Sequence, residues 1–167
     1  MSDSRLPLVE ELESPPDASA ALRAFADLPD VLLLESSLRR DHVGRYSFLT
    51  ADPFERFVIP RIAFGDDPFH ELRQRLRSFP TQTLPDLPPF QGGAAGLLSY
   101  ELGGAWERVP VASLDEFSLP HLHVGFYDWV IAWDHAANRA WVISHGYPET
   151  DSTRRYERAA ARLRNVR

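Results

Sequence analysis

The chain has 167 residues, of which 44% are apolar, and this length is sufficient for one domain with its own hydrophobic core. It contains no cysteine and no lysine, which excludes disulfides, thiolate metal sites, thiol nucleophiles and Schiff-base chemistry for this chain acting alone. The net charge of −6 argues against a nucleic-acid partner, and no apolar run approaches the roughly 20 residues of a membrane span. We therefore expect a cytoplasmic protein.

The first third of the chain predicts an irregular start, a helix and three strands. Residues 1–16 are acidic and proline-bearing and predict an irregular lead-in, so that residues 17–167 form a single domain. Asp17 or Ser19 caps a short predicted helix. Three segments rich in aliphatic and aromatic residues predict strands, the first of them buried: residues 31–36, 45–51 and 54–64. Pro60 interrupts the third strand and indicates an edge position or a bulge.

The middle of the chain predicts one helix and one glycine-rich strand. Asp67-Pro68 opens the helix, and four apolar residues at spacings of three and four form its inner face: Phe69, Leu72, Leu76 and Phe79. A proline-rich connector over residues 80–89 leads into residues 90–107, FQGGAAGLLSYELGGAWE. We interpret this stretch as a central strand, kinked at its start, with a turn at Gly103-Gly104.

The last third predicts a loop followed by a β-hairpin. Residues 107–119 have the composition of a loop. A long strand pattern over residues 122–133 is joined by a polar turn to a partner strand over residues 140–144. The sequence therefore predicts one hairpin over residues 122–144.

A final helix closes the predicted domain. Asp151 or Ser152 caps it, and Tyr156, Ala160 and Leu163 form its apolar face. Residues 151–167 carry six arginines and two acidic residues, and such a charge run is more typical of a solvated face than of a phosphate site. The order of the elements lacks regular βαβ alternation. It predicts an α+β domain with a largely antiparallel sheet and a few flanking helices.

Three patterns typical of enzymes are weak here. The glycines of residues 92–96 neither follow a predicted strand nor precede a predicted helix, whereas a phosphate-binding loop does both. Ser36 and Ser99 do not lie in the Gly-x-Ser-x-Gly motif of a nucleophile elbow. His121 and His123 lie on one strand face, as a metal pair could, with a third ligand from Asp128, Asp134 or His135. The spacing does not require such a ligand, so no catalytic or metal residue is assigned. An enzyme that uses the two histidines stays a third alternative.

A candidate binding site lies at the end of the first long strand. Glu35 and Ser36 offer a carboxylate and a hydroxyl to an ammonium group, and Arg45 could hold a carboxylate with two hydrogen bonds. Tyr46 and Phe48 could flank a ring. These are the groups that a zwitterionic aromatic amino acid needs, although an ordinary hydrogen-bonded strand end uses the same residues.

Four blocks of sequence, in order along residues 30–145, carry a more specific signal: Leu33–Ser36, Gly44–Phe48 with Ala51–Pro53, Phe90–Gly103, and Tyr127–Trp129 with Trp133–His135. Together they resemble the N-terminal domain of the chorismate-utilising synthases. This family includes component I of anthranilate synthase and of aminodeoxychorismate (para-aminobenzoate) synthase. The FQGGAxGLxxYELG and YDW pair favours the para-aminobenzoate branch.

The resemblance implies the fold of that N-terminal domain and a parent enzyme that aminates chorismate in para-aminobenzoate and folate biosynthesis. In that family, ammonia comes from a glutamine amidotransferase subunit, and chorismate, Mg²⁺ and the catalytic residues belong to a C-terminal chorismate-binding domain. That domain would begin where this sequence stops, at Arg167. We therefore expect a non-catalytic domain, as a fragment or split-gene product, with no cofactor of its own. Its expected partner is the C-terminal domain, in cis or in trans.

The resemblance also implies half of a tryptophan pocket, built around the LLES segment and completed by the C-terminal domain. Carried over residue by residue, it comprises five candidates: Leu34, Glu35, Ser36, Arg45 and Tyr46. Two further alternatives stay open. The chain could be the regulatory N-terminal domain of an anthranilate synthase component I in tryptophan biosynthesis, or a free-standing amino-acid-binding module.

Overall fold

The computed structural model describes residues 6–40, 43–110 and 114–166, and it is mixed in secondary structure. Its eight strands are β1 (Leu8–Glu11), β2 (Leu32–Leu34), β3 (Tyr46–Thr50), β4 (Glu55–Ile59), β5 (Gly93–Leu98), β6 (Leu122–Tyr127), β7 (Trp129–Asp134) and β8 (Arg139–Ser144). Its helices are α1 (Ala18–Ala24), α2 (His70–Ser78) and α3 (Ser152–Val166), with a 3-10 helix over Tyr100–Ala105. All strand pairs are antiparallel, as expected for an α+β fold. Within the described ranges, no helix has the length and apolarity needed to cross a membrane.

The strands form two sheets, joined at one residue. The larger sheet has the order β1-β8-β7-β3-β2, and the smaller has the order β4-β6-β5. Asp128 alone separates β6 from β7, so the chain passes from one sheet to the other there. The predicted hairpin is confirmed for β7 and β8, but the prediction that it includes residues 122–127 is wrong. The apolar run continues through Asp128 because residues on both sides of the junction are buried, so hydrophobicity does not mark the break.

The larger sheet is covered on both faces. Trp129, Ile131 and Trp133 of β7 pack in one cluster with Ala18 and Ala21 of α1. The alternate residues Val130 and Ala132 pack on the opposite face with Trp141 and Ile143 of β8. Successive side chains of a strand point to opposite faces, so an uninterrupted apolar strand indicates a layer on each side of the sheet.

The smaller sheet is covered mainly on one face. Its core contains Phe57 of β4 and three residues of β6, which are Leu122, Val124 and Phe126. Phe69 and Leu72, around the start of α2, pack against this core. The central strand of this sheet is β6, so the prediction that residues 90–107 form a central strand is wrong. β5 is an edge strand, and the predicted turn at Gly103-Gly104 is part of the 3-10 helix.

Two strands near the N-terminus differ from the sequence-based expectation. The predicted irregular lead-in contains β1, which pairs with β8 over Leu8–Glu11. The predicted buried strand at residues 31–36 is shorter, and β2 is a half-buried edge strand that pairs with β3 only over Leu32–Leu34. The bounds and burial of both strands depend on pairing with a partner strand, and local composition does not predict that pairing.

The final helix is confirmed, and its predicted apolar face is confirmed in part, since Leu163 packs against the core of the larger sheet. Asp151 accepts hydrogen bonds from the backbone N–H groups of Thr153 and Arg154 and so caps α3. Arg155 and Ala159 are buried, whereas Tyr156 of the predicted apolar face is exposed. The helix is rotated toward its arginines because an acidic group is buried beneath it, as described below.

Candidate functional site

The five candidate residues lie around the ends of β2 and β3. Ser36, Arg45 and Tyr46 line one open depression of about 470 Å³ together with Gly44. Gly44 has a φ of +68°, and a Cβ there would lie 2.1 Å from the carbonyl oxygen of Leu38, so glycine closes this loop. Leu34 ends the neighbouring strand β2, Glu35 follows it, and both are exposed. The structure therefore brings three of the five candidates into one wall.

Arg45 holds a carboxylate with two of its nitrogens, as the sequence suggested, but the carboxylate belongs to the chain itself. Its Nε donates to both oxygens of Asp134 at 3.1 Å, and its Nη2 donates to Oδ2 at 2.6 Å. This hydrogen bonding holds the pKa of the Asp134 carboxyl below its usual range, against the opposing effect of burial. The guanidinium also lies over the Tyr46 ring at 4.9 Å. A carboxylate ligand would therefore have to approach through Nη1.

Two further pairs of polar side chains lie near the depression. Glu35 lies 3.6 Å from Arg39, and Ser47 Oγ lies 2.7 Å from His135 Nε2. Burial, followed by the charge of Arg39, lowers the pKa of the His135 imidazole. The site thus offers one aromatic ring, one hydroxyl and one partly engaged guanidinium. The sequence analysis named Asp134 only as a possible metal ligand and did not pair it with Arg45, although Asp134 lies in the Trp133–His135 block.

The two histidines considered as metal ligands, His121 and His123, contact different partners. His121 Nδ1 accepts a hydrogen bond from the backbone N–H of Ile62 at 3.1 Å, and His123 Nε2 lies 3.8 Å from Asp30 Oδ1. Among the described residues, there is no group of three or more histidine, aspartate or glutamate side chains placed to hold a metal ion.

A second, larger cleft of about 570 Å³ lies beside the 3-10 helix. Its walls include Phe64, Leu114 and Phe117, all exposed, and its polar lining includes Glu101 and His121. The sequence offered no signal for this cleft, because its walls come from separate loops that only the fold brings together.

A buried ionic cluster braces the junction between the sheets. Asp128 is fully buried, and Arg158 Nε donates to its Oδ2 at 3.1 Å, while Arg162 Nε lies 3.4 Å from Oδ1. Arg162 also pairs with Asp52 at 2.8 Å. Burial raises the pKa of the Asp128 carboxyl even though the two arginines oppose the shift. The arginine run was predicted to be a solvated face, but Arg155, Arg158 and Arg162 face inward.

The comparisons with known proteins agree on one family. The chain is 32% identical over 163 residues to aminodeoxychorismate synthase component 1 of Salmonella typhimurium, a match that covers 90% of this chain and 36% of the relative. It is 32% identical over 133 residues to the protein of the same name from Escherichia coli, covering 72% of this chain and 29% of the relative. It is 33% identical over 151 residues to anthranilate synthase component 1 of Streptomyces coelicolor, a match that covers 88% of this chain and 28% of the relative. No protein-family model matches the chain.

These similarities confirm the resemblance found in the sequence. The chain belongs to the family of aminodeoxychorismate synthase component 1 and anthranilate synthase component 1. It spans about a third of the length of the curated relatives that it matches.

Proposed function

We propose that the chain is a non-catalytic, N-terminal-type domain of an aminodeoxychorismate synthase component 1-like enzyme. In this proposal it supports a separate chorismate-binding region, in cis or in trans, and that region carries the Mg²⁺ and the catalytic residues. A glutamine amidotransferase subunit would supply ammonia, and the complex would act in the cytoplasm in para-aminobenzoate and folate biosynthesis. The amination of chorismate is thus assigned to the assembled enzyme and not to this chain alone.

One observation carries the proposal: the similarity covers 90% of this chain but only 36% of the Salmonella relative. A segment of that size that folds around its own core is typical of a domain of a larger enzyme. The absence of lysine from the sequence supports the same view, since the resemblance implies a lysine nucleophile for the para-aminobenzoate branch.

The experiment uses a chimera of the Salmonella component 1 in which this chain replaces the matched segment. We expect chorismate- and ammonia-dependent product from the chimera in the presence of Mg²⁺, and none from this chain by itself. Turnover of chorismate by the isolated chain would overturn the proposal, as would a cooperatively folded chimera without activity.

A second candidate function, binding of an aromatic amino acid such as L-tryptophan, is favoured by the depression shared by Ser36, Arg45 and Tyr46. Calorimetry with L-tryptophan on the chain and on the chimera tests it. Ser36→Ala and Arg45→Ala should abolish the heat of binding. Arg139→Ala is a matched control, since Arg139 also pairs with a carboxylate, that of Glu11, and lies 4.7 Å over the ring of Trp141. The absence of any heat of binding from both the unsubstituted chain and the unsubstituted chimera would exclude this function.

A further inference from the structure

The four edge strands of the described sheets differ in how they are protected. Exposed edges usually carry charges or proline or are very short, because their unpaired backbone groups can recruit another strand. β1 follows Pro7 and ends in two glutamates, β2 has only three residues, and β4 contains Glu55 and Arg56. β5, with the sequence GAAGLL, has six residues and neither a charge nor a proline. In the described part of the chain, β5 pairs with β6 on one side alone.

The unprotected edge of β5 also exposes apolar side chains on both faces. Leu97 lies opposite His123 and is 40% exposed, while Leu98 lies opposite the fully buried Leu122 and is 52% exposed. Leu98 is therefore on the core face of the small sheet and is still uncovered. Tyr100, two residues on, is 82% exposed. The apolar layer of this sheet thus continues to its edge without a cover.

We propose that the free edge of β5 pairs with an extended apolar strand from the remainder of a component 1 synthase, which continues the small sheet. This inference rests on the proposed function. The occupant follows from the length of the relatives, since 64% of the Salmonella protein lies outside the match that covers 36% of it. Backbone hydrogen bonds along β5 would supply affinity, and contacts with Leu97 and Leu98 would set the register. The partner strand carries uncharged residues there, because β5 offers no charge to pair with one.

Two variants that introduce the same charge on opposite edges of the small sheet test the proposal. Leu97 of β5 and Val58 of β4 both lie opposite His123, one on each side of β6, and their exposures are 40% and 42%. Leu97→Lys places a charge at the proposed contact, and Val58→Lys places the same charge on the other edge of the sheet. The probe is the remainder of the Salmonella component 1, produced as one polypeptide and first shown to unfold cooperatively. Binding to each form of this chain is measured by calorimetry.

We expect Leu97→Lys to weaken binding about tenfold or more, because a lysine would be desolvated in the new strand pair, whereas Val58→Lys leaves binding unchanged. Backbone amides of β5 in the wild type should also gain protection from hydrogen exchange. Equal binding by both variants would overturn the inference and leave the proposed function intact. A folded probe that fails to bind the wild-type chain would contradict both. A wild-type chain that dimerises through β5, and that Leu97→Lys makes monomeric, would show that a second copy is the occupant.

The chimera provides a second measurement should the separate remainder fail to fold. There, Leu97→Lys should lower the midpoint of thermal unfolding by more than Val58→Lys, while the two variants of the isolated 167-residue chain should melt alike. Equal midpoints in the chimera would overturn the inference, whereas an inactive chimera would count against the proposed function.

Discussion

His145 is the single residue whose burial gives the clearest expected pH dependence. It is almost fully buried and stacks on Tyr147 at 6.3 Å between ring centroids. Burial lowers the pKa of its imidazole from 6.5 to about 4. Between pH 6.5 and pH 4 the unfolded chain therefore binds a proton at His145 that the folded protein does not bind. The contribution of neutral His145 to stability is complete above pH 6.5 and declines as the pH falls toward 4.

We expect this effect to reach about 3 kcal/mol of unfolding free energy between pH 7 and pH 4. His145→Gln should flatten that part of the pH profile, because the glutamine side chain does not titrate. Tyr147→Phe is the matched control, because burial raises the pKa of Tyr147 and its hydroxyl does not titrate in this range. Loss of this hydroxyl should lower stability without changing the slope of the pH profile. Urea unfolding at a series of pH values measures both. An unchanged slope in His145→Gln would show that other groups determine it.

The Asp128 carboxyl contributes in the opposite direction. Burial raises its pKa, so its ionisation as the pH rises lowers stability, and Arg158 and Arg162 offset part of that loss.

Arg158→Met should therefore destabilise the protein by about 1–3 kcal/mol at pH 7, because the carboxylate loses a charged donor. The deficit should shrink as the pH falls and Asp128 takes up a proton. Arg154→Met, an exposed position on the same helix, serves as the control and should change little. Urea unfolding at a series of pH values below 7 compares the two variants. A loss for Arg158→Met that stays constant as the pH falls until the wild type itself unfolds would contradict a role through Asp128.

At the scale of elements, β5 depends on glycine where it approaches β6. A Cβ at Gly96 would lie 2.1 Å from the carbonyl oxygen of His123, and backbone cannot yield as a flexible side chain does. By contrast, a Cβ at Gly104 in the 3-10 helix meets no atom within 4 Å.

Gly96→Ala should lower the unfolding free energy by about 2 kcal/mol or more, since pairing of β5 with β6 must loosen. Gly104→Ala should change it by no more than about 0.5 kcal/mol. Hydrogen exchange should localise the loss in Gly96→Ala to the amides of β5. Equal stability of the two variants would show that the small sheet tolerates a wider strand spacing.

At the scale of the whole molecule, α3 connects the two sheets. It packs on β8 and β1 of the larger sheet, and its arginines reach the carboxylate of Asp128 at the junction with the smaller one. Loss of this helix would expose the apolar cluster of the larger sheet against which Leu163 and Val166 pack, and it would leave the Asp128 carboxylate without its cations.

A chain shortened to end at Glu149 should therefore lose cooperative thermal unfolding and its near-ultraviolet tryptophan signal. Circular dichroism of the shortened and full chains measures both properties. The absence of cysteine means that no thiol chemistry complicates refolding. A shortened chain that melts at the midpoint of the full chain would show that α3 is not needed to hold the sheets together.

Local patterns anticipated much of the secondary structure and part of the site. Asp17 and Asp151, each predicted as one of two possible helix caps, are the caps in the structure, because capping depends on residues only two or three positions apart. Arg45 was predicted to hold the carboxylate of a bound amino acid, whereas in the structure it pairs with the carboxylate of Asp134, 89 positions along the chain. Local reasoning names the type of interaction, whereas the pairing of β3 with β7 selects the partner.

By itself, the sequence determined the α+β class, the family, the capping segments of α1 and α3 and the absence of thiol and lysine chemistry. These depend on composition, on short-range spacing and on similarity to relatives. The sequence did not place the start of α2, which begins at His70 and not at the predicted Asp67-Pro68. Only the tertiary structure decided that the chain changes sheets at Asp128, that α3 turns its arginines inward and that β5 is an edge strand. Each of these depends on which distant strands pair and which charges are buried together, and residues far apart in sequence supply those energies.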